Sequence, residues 1–61
     1  MEKMIEHALT KETQTLIDSI KVIGGGRVST ELRMARAVMI EAIVIREGEE
    51  LADSIMDQLG M

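Results

Sequence analysis

The sequence predicts an all-α fold, a two-helix hairpin that self-associates into a dimeric or larger helical bundle. Three observations point there. Apolar residues recur at helical spacing through the first 23 positions, Gly24–Gly26 form the one unambiguous break, and the stretch AVMIEAIVI at 37–45 is apolar around nearly its whole circumference. A single domain over residues 1–61 is the expectation, since a chain this short has room for one small core.

The first helix is expected over about residues 2–23. On a helical wheel Met1, Ile5, Ala8, Leu9, Leu16, Ile20 and Ile23 fall in one sector, with Met4, Ile17 and Val22 at or beyond its edges; His7, Lys11, Gln14 and Asp18 face away. The phase carries through the polar run TKETQT at 10–15, because Leu9, Leu16 and Ile23 are seven apart. A glycine turn over 24–28 follows. Ser29 or Thr30 then offers a hydroxyl to cap a second helix, and Glu31 favours the positive end of its dipole. That helix is expected from about 30 to 59, with good helix formers on both sides of AIVI. Gly48 leaves two readings open, because a helical glycine costs about 1 kcal/mol relative to alanine: a continuous or mildly kinked helix, which is favoured, or a break into a short third helix.

The apolar stretch sets the assembly. Val38 and Ile45 point to one side, Ile40 and Ile43 to the opposite one, and one partner helix covers only one of these faces. Each large aliphatic left in water forfeits about 1.5–3 kcal/mol, an amount comparable with the stability of so small a fold. A second copy of the chain is the economical cover, so Val38, Met39, Ile40, Ile43 and Ile45 are assigned to an oligomer interface. The two helices would be about 33 Å and 45 Å long at 1.5 Å per residue, and the overhanging acidic end could lie beside Lys21, Arg27, Arg33 and Arg36 of the other chain.

Composition narrows the function. There is no cysteine, which removes disulfides, thiolate zinc sites and thiol redox chemistry, and no aromatic residue on which nucleic-acid bases could stack. Six methionines in so short a chain favour an adaptable packing surface. The apolar runs are too short to span a bilayer and MEKMIEH has no signal-peptide character, so a cytoplasmic protein with no membrane association is expected. Net charge is −4, with residues 1–36 near neutral and residues 37–61 strongly acidic, a balance that does not favour nucleic acid.

Few residues suggest chemistry. The GGGRVST turn places Arg27, Ser29, Thr30 and Arg33 where a helix N-terminus could meet an anion or phosphate, although P-loop spacing is absent and a capped turn explains the same residues. Glu41 interrupts the apolar run, but the Glu-x-x-His pairs of di-metal bundles are missing and His7 is alone. No catalytic residue, metal or cofactor is therefore assigned. EGEELAD at 47–53 resembles the second acidic motif of the all-helical nucleotide pyrophosphohydrolases, with Glu50 and Asp53 as the matching acids; the preceding Glu-x-x-Glu helix of that family is missing.

Residues 9–35, LTKETQTLIDSI…GG…STELRMA, resemble the ribbon-helix-helix family of dimeric DNA-binding proteins. The resemblance implies a strand ending at Leu9, a helix capped by Thr10 with Ile17 and Ile20 inward, a glycine turn, and a second helix capped by Ser29 or Thr30 with Leu32 and Ala35 inward. It further implies a groove-facing strand of Met4, Glu6 and Ala8, none a good base donor, and Glu6 repels phosphate. Thr13 and Arg36 stand where that family has apolar residues. The function expected is therefore that of a small non-enzymatic, homo-oligomeric regulator, inhibitor or assembly factor acting through a protein partner. A dimeric DNA-binding repressor or antitoxin is the alternative.

Overall fold

The computed structural model describes residues 2–60, and the side chains from Lys3 onward. Four helices follow one another: α1 (Glu2–Leu9), α2 (Thr13–Ile23), α3 (Thr30–Glu47) and α4 (Glu49–Gln58), with no strand among the described residues. Residues 3–9 are thus helical, and the DNA-reading ribbon that the family resemblance implies is not formed. Met1, expected on the apolar face of the first helix, lies outside the described residues.

Each of the two long helices expected from the sequence is divided. The first stops at Leu9, where the Thr10 hydroxyl and the Thr10 amide both donate to the His7 carbonyl, at 2.6 and 3.1 Å. A threonine hydroxyl that bonds locally to the backbone competes with helix continuation, and by Glu12 the chain is extended, with φ −69° and ψ 147°. Leu9 and Leu16 both reach the core, as the seven-residue spacing requires, but from different helices. The second break is at Gly48, whose φ of 100° and ψ of 168° lie in a region open essentially to glycine alone. Its amide still donates to the Val44 carbonyl at 3.0 Å, closing the last turn of α3 before the chain swings into α4. Gly24 ends α2 by the same device, with φ 81° and its amide 2.8 Å from the Ile20 carbonyl.

These breaks let one chain cover its own greasiest helix. α3 packs against α1, α2 and α4 in turn. The other three helices each bury a narrow stripe: Ala8 from α1, Leu16 and Ile20 from α2, Ala52 and Ile55 from α4. α3 buries Val38, Ala42 and Ile43, and packs Met39, Ile40 and Val44 against the same core. The apolar circumference of 37–45 is therefore the mark of a central helix. Cover for Val38 and Ile43 comes from the chain itself, which corrects their assignment to an oligomer interface: Ile43 is 0% exposed within one molecule.

The dimensions agree. The longest extent is 25 Å, which excludes a straight 45 Å helix, and the radius of gyration is 10.5 Å. A compact chain of this length is expected at about 10.5 Å. The accessible surface is 4258 Å², against about 3,950 Å² for a typical folded monomer of this mass.

Polar side chains of α3 tie down the ends of its neighbours. The Arg46 guanidinium donates to the carbonyls of Leu9, the last residue of α1, and of Lys11 just beyond it. Arg36 donates to the carbonyls of Gly24 at 2.7 Å and Gly26 at 3.2 Å after α2. Arginine at a helix C-terminus satisfies carbonyls the helix leaves open and opposes its dipole. Thr13 at the start of α2 donates to the Glu47 carboxylate at 2.9 Å.

Candidate functional site

The residues singled out in the glycine turn have structural work. The Ser29 side chain caps α3 by accepting the Leu32 amide at 3.3 Å, and Thr30 is the first residue of that helix. Gly25 lies against the end of α4: a Cβ there would stand 2.1 Å from the Leu59 carbonyl oxygen. Arg36 is engaged with the turn's carbonyls, while Arg27 and Arg33 are exposed. Serine, glycine and arginine here serve the join between α2, α3 and α4.

Glu41 is exposed, as are Glu50 and Asp53, and among the described residues no three acidic or imidazole groups cluster closely enough to hold a metal ion. No helix among them is long and apolar enough to cross a membrane.

Two surfaces remain. The first is one edge of α3. Met34, Ala37, Glu41 and Ile45 are spaced three and four apart, so they share a stripe, and all four are exposed, Ile45 at 57%. Of the residues expected at an oligomer interface, Ile45 alone is fully available; Met39 and Ile40 are half-buried. Beside the stripe lies a shallow depression lined by Arg33, Arg36, Ala37, Ile40 and Met56.

The second surface is a groove of about 430 Å³ between α1, α2 and α3. Its floor is Ala8, Leu16 and Val38, all buried. Ala35 and Met39 of α3 and Thr15 and Ser19 of α2 form one wall, while Lys3, Met4, His7 and Lys11 form the other. Among the described side chains, none that lines it is acidic. Comparison with family models, curated proteins and solved structures found no match.

The helical wheel set His7 and Lys11 aside as solvent-facing, and they are exposed. What the wheel missed is that they border an apolar groove. The signal that could have found it is the spacing of Lys3, His7 and Lys11, four residues apart and on one side of the chain's first turns. The groove itself exists only because α1 ends at Leu9 and α2 starts afresh beside it.

Proposed function

We propose that the protein acts without catalysis, as a small homo-oligomeric regulator, inhibitor or assembly factor that works by protein–protein contact. The observation that supports this best is the uncovered stripe Met34–Ala37–Glu41–Ile45 on a helix whose middle is otherwise largely packed against its own chain. Three apolar side chains along one line, with the small Ala37 among them and a single carboxylate, suit close approach of a second helix.

A second copy fits in one orientation. When two α3 helices run antiparallel and cross at Ala37, residue 41 of each faces residue 33 of the other. Glu41 then meets Arg33 of the second copy on both sides of the two-fold axis. A parallel pair would place the two Glu41 carboxylates together, which repels.

Light scattering coupled to size-exclusion chromatography tests this. Wild type at tens of micromolar is expected at twice the chain mass, and Ile45→Asp at the chain mass with its helix content intact. Ile43→Asp is expected to unfold the chain outright, since that side chain lies in the core of one molecule. A folded wild-type monomer across that concentration range sinks the proposal.

A further inference from the structure

We infer that the groove between α1, α2 and α3 is the docking site for an amphipathic helix of a partner protein that carries acidic residues along one flank. The inference deepens the protein-contact reading above and rests on it, but it uses a different face. Ala35, Val38 and Met39 line the groove roughly a third of a turn around α3 from the Met34–Ile45 stripe.

Three features select that occupant. The floor and far wall are largely apolar, and several of their residues are small, Ala8, Ala35, Ser19 and Thr15 among them, so bulky aliphatic side chains from outside can enter. The near wall carries the Lys3 and Lys11 ammonium groups, with His7 between them, and no described carboxylate lines the groove, so the matching flank is anionic. Lys3 and His7 lie four residues apart on α1, about 6 Å along its axis, which is also the spacing of carboxylates at i and i+4 on a helix running beside it.

The groove is open to solvent, and this favours a helix over a lipid-like anion. A helix keeps a polar outer face in water while its apolar stripe fills the floor. An acyl chain in the same trough would leave much of its hydrocarbon wet. The chain's own acidic helix is not the occupant: Ala52 and Ile55 of α4 are 1% and 4% exposed, so its apolar stripe is already spent on its own core.

The test uses the full chain and two fluorescein-labelled helical peptides, alike in their leucine stripe, one with glutamates on the flank and the other with lysines. Fluorescence anisotropy at low salt is expected to show the acidic peptide binding about tenfold more tightly, with the difference shrinking as salt rises. The Lys3→Glu/Lys11→Glu double variant should reverse the preference, and Ser19→Phe, which fills the groove, should weaken both peptides. Circular dichroism confirms that each variant is folded. Equal affinity for the two peptides, no binding of the acidic one, or binding indifferent to both groove variants overturns the inference. So does saturable binding of dodecanoate by a protein that ignores the acidic peptide. Because self-association is read separately from the mass, a dimer that binds neither peptide overturns the groove assignment and leaves the proposed dimer standing.

Discussion

Replacing Gly48 with alanine separates two folds that the sequence alone leaves close together. In this structure Gly48 has φ 100° and ψ 168°, and nothing lies within 4 Å of the position a Cβ would take. Crowding therefore contributes nothing, and the cost is conformational. An alanine held there costs about 1–3 kcal/mol, offset by up to about 1 kcal/mol because it restricts the unfolded chain. The net expectation is a loss of about 1–2 kcal/mol, or a melting temperature lower by about 5–15 °C in a domain of this size. Had α3 and α4 formed one continuous helix, the same change would have stabilised it by about 1 kcal/mol. Thermal and urea unfolding followed by far-ultraviolet circular dichroism read the sign directly. Gly24→Ala, at φ 81°, should lose stability like Gly48→Ala, while Gly26→Ala, with open space and no positive φ, should be neutral or slightly stabilising. A Gly48→Ala protein that melts higher than wild type refutes the break.

Two further substitutions examine how the elements are joined. Arg46→Met keeps the aliphatic stem but removes the donor to the Leu9 and Lys11 carbonyls, and should cost about 1 kcal/mol in urea, the exposed setting discounting a charged hydrogen bond; an unchanged midpoint would mean the guanidinium does not hold the end of α1. Gly25→Ala drives a Cβ into the Leu59 carbonyl and should cost about 1–3 kcal/mol, with hydrogen exchange speeding up first in the last turn of α4; protection there equal to wild type would show that the contact is loose.

Helical class, the turn at 24–28, the cap near Ser29 and the start of α3 at Thr30 were all legible, because each rests on local chemistry: periodicity, glycine conformational freedom, and a hydroxyl next to an unbonded amide. The break at Thr10 is not anticipated by the sequence and the one at Gly48 is only the less favoured of two readings, and both have physical reasons. Between α1 and α2 there is no glycine or proline, only a threonine-rich run that a helix tolerates, and the stop depends on Thr10 turning back to His7 and on Arg46 arriving from 35 residues away. At Gly48 the flanking sequences both favour helix, and a single glycine is too weak a penalty to separate a kink from a stop. Once the breaks are missed, the number of helices is wrong. Cover for Ile43 must then be sought in a second chain, although the chain's own core supplies it. The groove was illegible for the same reason, since it lies between two helices that the periodicity merged into one.

Glu41 marks where that cover runs out. Three neighbours cannot enclose a helix completely, and the strip of α3 left open has to tolerate water when the protein is alone. It carries Met34, Ala37 and Ile45, but also the only carboxylate in AVMIEAIVI, and that carboxylate is exposed. A wholly aliphatic strip would join any apolar surface in either direction. With Glu41 on the strip and Arg33 flanking it, burial against a second copy leaves a charge unmatched unless the helices run antiparallel, and an unmatched buried charge costs more than the aliphatic contacts return. The glutamate that looks misplaced in an apolar run thus limits what the open edge can accept, and the orientation of the proposed dimer follows from it.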